Sequence, residues 1–399
     1  MSRVVIVGAG HAGGSAAAFL RQFGFEGEIV LIGDEPLAPY QRPPLSKAWL
    51  KGEADGDSLL LKAPEFYPEA QIDLRLDTTV AAIDRDDRFV TLGDGSTVAY
   101  DWLILATGSV TRKLPIPGAD HPALLELRTA ADADRIKAAL TPGKRLIVVG
   151  AGYIGLEVAA SARALGCEAV VIERESRVLA RVASPPLSAF FERLHREHGV
   201  DIRLNAGVEG FEDGKRVRLT GSEVLEGDAI LLGVGAMAND AIAAASGLGC
   251  SNGIIVDGDA RTSDRNVFAI GDCSFRPLPL YDAEARLESV PNALEQIVDN
   301  YVDNALGVAH AGDTITITAV RQHREVAVHV IDEGPGMKPD HLAHAFDRFW
   351  RAPDAPHGGS GIGLAVVRHL AQLSGGRADL RNRPDRSGLD ASVTLPADR

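Results

Sequence analysis

The chain has 399 residues, 45% hydrophobic and 24% charged, the composition of a globular protein long enough for two or three domains and a substantial core. Its 41 basic and 55 acidic side chains leave a formal net charge of -14, which argues against nucleic acid and an anionic membrane as partners, since both reward positive charge. Three scattered cysteines, Cys167, Cys250 and Cys273, form neither a CxxC pair nor a metal set, and no apolar run approaches the ~20 residues of a membrane span, so a cytoplasmic, disulfide-free protein is expected.

The N-terminus runs straight into Arg3 to Val7, a β-branched apolar run that predicts a strand and lacks the apolar region of a signal peptide. Gly8-Ala-Gly10-His-Ala-Gly13-Gly14 follows at once and opens an Ala-rich helix. In such a strand–turn–helix the glycines serve tight turning, close approach to a pyrophosphate and close helix-on-strand packing, with the anion on the helix N-terminus. A second strand, Glu28 to Ile32, ends in Gly33-Asp34-Glu35. That sets a carboxylate 34 - 8 = 26 residues after the first glycine, where Asp34 or Glu35 is placed to bind a ribose hydroxyl. In Tyr40-Gln-Arg42-Pro-Pro-Leu-Ser-Lys47 the prolines forbid a strand, and Arg42 and Lys47 add positive charge. Asp101 to Leu105 predicts a strand ending in the small-residue turn Ala106-Thr107-Gly108.

Arg145-Leu-Ile-Val-Val-Gly150-Ala-Gly152-Tyr-Ile-Gly155-Leu-Glu157 repeats the opening design, an internal duplication. Its second strand ends at Glu173, 173 - 150 = 23 residues on, where an acid hydrogen-bonds a ribose 2′-hydroxyl and repels a 2′-phosphate; NADH is expected over NADPH. Asp228 to Leu232 predicts a further strand before Gly233-Val-Gly235, and Val267-Phe-Ala-Ile-Gly271-Asp272 ends another strand in an acid.

Two Rossmann units, an Ala-Thr-Gly turn and a terminal Gly-Asp in this order resemble the FAD-dependent pyridine-nucleotide reductases. Arg42-Pro-Pro-Leu-Ser-Lys47, Leu127-Arg-Thr129, Leu187-Ser-Ala-Phe-Phe-Glu192 and Arg286-Leu-Glu-Ser-Val-Pro-Asn-Ala-Leu-Glu-Gln296 narrow the resemblance to the ferredoxin reductases of oxygenase systems, over residues 1 to 296. It implies hydride transfer from NADH to the flavin, then electron delivery to a [2Fe-2S] ferredoxin. By the same resemblance Gly8, Gly10 and Gly13 cradle the FAD pyrophosphate. Asp34 or Glu35 holds the ribose, Arg42, Lys47, Ala106, Thr107, Gly108 and Val290 line the flavin site, and Asp272 binds the ribityl end. Lys47 and Glu157 pair near N5 as the catalytic residues, while Gly150, Gly152, Gly155, Glu173 and Gly235 hold NADH. The implied domains are FAD-binding over 1-107 and 247-296, and NAD-binding over 108-246. The family's third domain, which covers the flavin and helps form the ferredoxin dock, is replaced here by other motifs.

From Pro291 a helix is predicted: Leu294, Ile297, Val298, Tyr301, Val302, Ala305 and Leu306 fall on one face, with Asn300 and Asn304 at i and i+4 on a second. Strands follow at Thr314 to Thr318 and Glu325 to Val330. Next come Asp332-Glu-Gly334-Pro-Gly336, the aromatic patch around Phe346 and Phe349, and Gly358-Gly359-Ser-Gly361-Ile-Gly363-Leu. The order of Asn box, Asp-x-Gly-x-Gly, Phe box and Gly-x-Gly-x-Gly resembles the ATP-binding domain of sensor histidine kinases, the Bergerat (GHKL) α/β sandwich, over 297-399. By that resemblance Asp332 accepts the adenine amino group, Gly334 and Gly336 admit the base, and Asn304 holds Mg²⁺ beside Asn300. Gly359, Gly361 and Gly363 form the lid hinge and phosphate nest. Two departures stand out: Gly307-Val308 replaces a basic-aromatic pair, and the late glycine-threonine box reads Gly388-Leu-Asp-Ala-Ser392.

The expected whole is an α/β chain with FAD and NAD Rossmann domains followed by a Bergerat domain, a natural or engineered chimera joined at the shared helix. Its expected activity is NADH oxidation with FAD, with Mg-ATP bound by the appendage. No phosphoacceptor helix is present; His195 and His198 belong to the reductase match and His323 to a strand edge. A response regulator or phosphoacceptor domain therefore enters only in trans. The alternatives are an ATP-binding module without efficient redox turnover and a non-functional hybrid.

Overall fold

The computed structural model describes residues 2–278, 283–286, 314, 316–322, 325–347, 364, 367, 368, 371, 376–383 and 387–396. The expected helix from Pro291 to Leu306, and with it Val290, Asn300 and Asn304, lies outside the described residues, as do Phe349, Gly359, Gly361 and Gly363. The chain divides into two compact units, Met1–Arg286 and Leu287–Arg399.

In the first unit Arg3–Val7 sits at the centre of a parallel five-stranded sheet. Glu28–Ile32 and then Ile72–Arg75 lie on one side, Trp102–Leu105 and Val267–Ala269 on the other. Val4 to Val7 and Ile29 to Ile32 are buried along their whole length, as expected of strands covered on both faces. The strand Val267–Ala269 belongs to this first sheet although the second nucleotide unit precedes it in sequence.

The second sheet repeats the plan. Arg145–Val149 is flanked by Glu168–Ile172 and Val200–Arg203 on one side and by Ala229–Leu232 on the other, all parallel. Each sheet carries an antiparallel three-stranded meander between its third and fourth strands in sequence order: Val80–Asp84, Phe89–Leu92 and Thr97–Ala99 in the first, Val208–Glu212, Arg216–Leu219 and Val224–Glu226 in the second. A two-stranded ribbon, Ser109–Thr111 with Ala236–Ala238, joins the two repeats.

Strand order reverses beside Arg3–Val7 in the first sheet and beside Arg145–Val149 in the second. In open α/β sheets the crevice for a ligand lies at the carboxyl ends of the strands at such a reversal. Gly8 and Gly150 occupy those two places.

The second unit holds an antiparallel sheet in the order Thr316–Gln322, Glu325–Ile331, Leu389–Pro396, Arg377–Asn382. Val330, Ala391 and Val393 turn one face to the buried helical residues Val367 and Ala371. The first strand differs from expectation: it begins at Thr316, not Thr314, and runs on to Gln322. Thr314 donates its backbone N–H to Glu333 Oε2 at 3.1 Å instead of extending the ladder. Among the described strands it lies at the sheet edge, and its Ile317 and Val320 are exposed.

Candidate functional site

Two turns of nearly identical geometry form the core of the first unit's site. Gly8 has φ +109 and Gly150 φ +106, a left-handed region that disfavours any side chain. A Cβ on Gly8 would stand 2.1 Å from the Ala106 carbonyl oxygen, and one on Gly150 2.4 Å from that of Gly233. Gly13 and Gly155 lie one helical turn on, where a Cβ would meet the carbonyl oxygens of Gly8 and Gly150 at 1.9 and 2.1 Å. These contacts let each helix sit tightly on its strand. Around the middle glycines the described residues leave the space open: none lies within 4 Å of a Cβ on Gly152, and among them only Arg42 Nη2, at 3.8 Å, approaches one on Gly10.

Helices His11–Gln22 and Tyr153–Ala164 start from Gly10 and Gly152, and neither has a side-chain cap. Their first N–H groups are therefore directed at the open space, where an anion satisfies them. Left-handed first glycines, glycine-tight helix packing and unobstructed middle glycines fit a dinucleotide pyrophosphate at both turns.

The acids after the second strands are not equivalent. Glu173 donates its N–H to Arg203 O at 2.8 Å, as Gly33 does to Arg75 O at 2.9 Å, so Gly33 is the register partner of Glu173 and the first repeat has its acids one and two positions later. Glu173 is anchored by Ala151 N–H at 2.7 Å and Glu175 N–H at 2.9 Å. Both oxygens of Glu35 are engaged, one by Arg42 at 2.6 Å and the other by Tyr40 Oη at 2.6 Å. Asp34 is exposed, and its carboxylate meets no described residue.

Several residues that motif reading passed over complete this wall. Arg128 Nη2 pairs with Asp272 Oδ2 at 2.9 Å, and Ser109 Oγ donates to the same oxygen at 3.2 Å. Arg42 Nη1 donates to the Arg128 carbonyl. A Cβ on Gly108 would come within 3.2 Å of Arg128 Nη2, and one on Gly271 within 2.9 Å of Ala12 Cβ. Gly10, Arg42, Gly108, Arg128 and Asp272 thus line one crevice. Thr107 stands at its rim, with Oγ1 donating to Asn239 O at 2.5 Å. Burial pushes the Tyr40 phenol above its usual range while it also accepts the Ala130 N–H at 3.0 Å. Leu127-Arg-Thr129 carried a signal for Arg128 in the sequence; nothing local flagged Tyr40 or Ser109.

Lys47 Nζ lies 2.7 Å from Glu157 Oε2, and Ser46 Oγ donates to the same oxygen at 2.5 Å. The pair joins the proline turn of the first repeat to the helix of the second. Near the second turn Gly235 has φ +101, and a Cβ there would lie 3.1 Å from Arg181 Nη2. His195 and His198 both bond helix carbonyls, His195 Nδ1 at Phe191 O and His198 Nδ1 at Leu194 O.

In the second unit Asp332 is 5% exposed, and its Oδ1 accepts the N–H groups of Gly334 at 2.9 Å and Leu389 at 3.1 Å. No described residue bonds its Oδ2. Gly336 has φ +73, and a Cβ there would lie 2.7 Å from Asn382 Oδ1, which accepts the Met337 N–H at 2.8 Å. Gly388, in the departed late box, closes on Asp332: a Cβ on it would stand 2.1 Å from Asp332 O. Phe346 stacks under Arg368, whose guanidinium carbon is 5.4 Å from the ring centre. Among the described residues no group of three or more His, Cys, Asp or Glu is gathered for a metal ion, and no helix is long and apolar enough to cross a membrane.

Comparison with known proteins agrees with this two-part geometry. Residues 2–296 match the pyridine nucleotide-disulphide oxidoreductase family, and residues 289–399 match the histidine kinase-, DNA gyrase B- and HSP90-like ATPase family. A probable ferredoxin reductase of Castellaniella defragrans is 50% identical over 299 residues, 74% of this chain and 73% of the relative. The putidaredoxin reductase of Pseudomonas putida is 46% identical over 302 residues, 73% and 72% of the two chains. The crystal structure of a covalent putidaredoxin reductase–putidaredoxin complex superposes with a TM-score of 0.71 at 39% identity, covering 84% of this chain and 83% of that one. The two family matches overlap only over residues 289–296, an architecture that fits a chimera. The chain therefore belongs to the pyridine nucleotide-disulphide oxidoreductases, among the flavin-dependent ferredoxin reductases, and carries at its C-terminal end a domain of the histidine kinase- and HSP90-like ATPase family.

Proposed function

We propose that the chain oxidises NADH through bound FAD and passes the electrons to a [2Fe-2S] ferredoxin, while its C-terminal domain binds Mg-ATP. The observation that carries this reading is the Lys47–Glu157 pair at 2.7 Å, which links two dinucleotide turns of the same geometry within one compact unit. Bound FAD supplies the acceptor of a hydride from NADH and releases its electrons one at a time. The protein's own groups bind and orient. The turns at Gly8 and Gly150 seat the two pyrophosphates, and Arg42, Arg128 and Asp272 fix the flavin side.

In this reading Asp34, exposed beside Glu35, is the ribose acid of the first repeat, while Glu35 pairs with Arg42 and accepts the Tyr40 hydroxyl. Glu173 takes the NADH ribose and disfavours a 2′-phosphate. Lys47 and Glu157 stand where nicotinamide and flavin meet. Expected domain limits remain 1-107 with 247-296 for FAD, 108-246 for NAD and 297-399 for ATP.

In this reading Asp332 Oδ2, which no described residue bonds, accepts the adenine amino group, and Gly336 admits the base. Asn304 holds the Mg²⁺ in this reading, beside Asn300, with Gly359, Gly361 and Gly363 around the phosphates. Any phosphotransfer uses an acceptor in trans.

Purified full-length protein tests the proposal. It is expected to show a flavin spectrum, to bleach on anaerobic addition of NADH faster than with NADPH, and to reduce a [2Fe-2S] ferredoxin. Folded protein that stays colourless after reconstitution with FAD but binds Mg-ATP would replace this reading with that of an ATP-binding module.

A further inference from the structure

Ser46 ends the short turn Pro43–Ser46 and is 4% exposed. Two of its atoms are held by one face of helix Tyr153–Ala164. Its Oγ donates to Glu157 Oε2 at 2.5 Å, and its carbonyl oxygen accepts Ser161 Oγ at 2.7 Å. Glu157 and Ser161 are separated by four residues, so they project from the helix side by side. Ser161 is itself buried.

The neighbouring Lys47 is a weaker anchor by itself. Its side chain is half-exposed, and an exposed lysine–carboxylate pair stabilises little because a long flexible stem must be ordered in solvent. Ser46 changes that balance. A buried hydroxyl donating to an ionised carboxylate is a stronger bond than a neutral one, and Ser46 is buried where the Lys47 side chain is half-exposed. Glu157 Oε1 meets no described residue. With Oε2 held by a buried donor, the oxygen on which the Lys47 ammonium sits is restrained.

We propose that Ser46, braced by Ser161, is a positioning residue for NADH oxidation: it orients Glu157, and through it Lys47, and ties the flavin-side turn to the nicotinamide-side helix. The proposal rests on the reading that Lys47 and Glu157 stand beside the reacting flavin edge. Ser46 exchanges no proton or electron. Bound FAD would supply the hydride acceptor, and the Ser46 hydroxyl keeps its hydrogen throughout.

Anaerobic stopped-flow reduction of the full-length holoprotein by NADH provides the test. Ser46→Ala is expected to keep its FAD content and apparent NADH affinity while the limiting rate of flavin bleaching falls about tenfold, the equivalent of one charge-assisted hydrogen bond. In a Glu157→Gln background the same substitution should change that rate by less than about twofold, because the bond it removes no longer orients a charge. An unchanged rate in Ser46→Ala, or an equal slowing in both backgrounds, overturns the proposal. If Ser46→Ala loses FAD, Ser161→Ala is measured in its place, with slowing expected only when Glu157 is present; a wild-type rate overturns the proposal. Wild-type protein that holds FAD but is not bleached by NADH overturns the underlying redox reading as well, which separates the two failures.

Discussion

Gly150 makes in the second sheet the contact that Gly8 makes in the first. Each turns left-handed at the end of a central strand and lies against the carbonyl of the next strand over, Ala106 for Gly8 and Gly233 for Gly150. Each donates its N–H to the end of the second strand at 2.8 Å, Gly8 to Ile32 O and Gly150 to Ile172 O. One backbone solution has been used twice, and it separates glycines needed for folding from glycines needed for ligand approach.

Gly150→Ala should therefore disrupt the second repeat even without NADH, since a Cβ would overlap Gly233 O and the φ is unfavourable. Gly152→Ala meets open space, so folding and FAD content should stay at wild-type levels while the KM for NADH rises about tenfold or more, the effect of one misplaced methyl in a ligand contact. Flavin absorbance and steady-state kinetics on the two variants check this. Equal behaviour of the pair would contradict it.

Tyr40→Phe tests the wall beneath the flavin side. The hydroxyl donates to Glu35 and accepts the buried Ala130 N–H, so its loss leaves that N–H without an acceptor and frees one Glu35 oxygen. The expected cost is about 1–3 kcal/mol, the range for an unsatisfied buried donor, read as a lower urea midpoint of the transition that releases FAD. An unshifted midpoint would show that water replaces the hydroxyl.

The cysteines should be slow to react. Burial pushes the thiols of Cys167, Cys250 and Cys273 up, which keeps them protonated at neutral pH, and the thiolate is the nucleophile. Native protein is expected to resist a disulfide reagent at neutral pH and to titrate all three thiols once denatured. One rapidly modified thiol in the native protein would refute the assignment.

A pH-dependent contribution is expected in the second unit. Arg377 grips Glu325 with bonds of 2.8 and 3.0 Å across the intervening strand Leu389–Pro396, and holds its carboxyl below the usual range. A depressed folded-state value means the contribution is fully present above the ordinary carboxylate range and is lost as pH falls through the lowered value. The thermal midpoint of Arg377→Gln should lie slightly below wild type at neutral pH, and the two should converge in acid. A gap that persists in acid would assign the effect to packing of the arginine stem.

How much was legible in the sequence follows from how far apart the interacting groups are along the chain. Strand Arg3–Val7, its glycine turn and their repeat at Arg145–Val149 could be read directly, because β-branched runs and left-handed glycines answer to local sterics. The pairing of Lys47 with Glu157 came only from the resemblance. Ser46, beside Lys47 in the same motif, carried no signal, since its partner lies 111 residues away. The same holds for Tyr40 and Ala130, 90 apart, and for Arg128 and Asp272, 144 apart.

The choice between Asp34 and Glu35 was undecidable from spacing, for both lie near the end of one strand. Tertiary structure brings Arg42 and Tyr40 onto Glu35 and leaves the Asp34 carboxylate without a partner among the described residues. Sequence by itself determined where the backbone must turn and which residues are buried, because those depend on short-range geometry and polarity. Which side chains share a charge was decided only when parallel crossovers brought distant segments within hydrogen-bond reach.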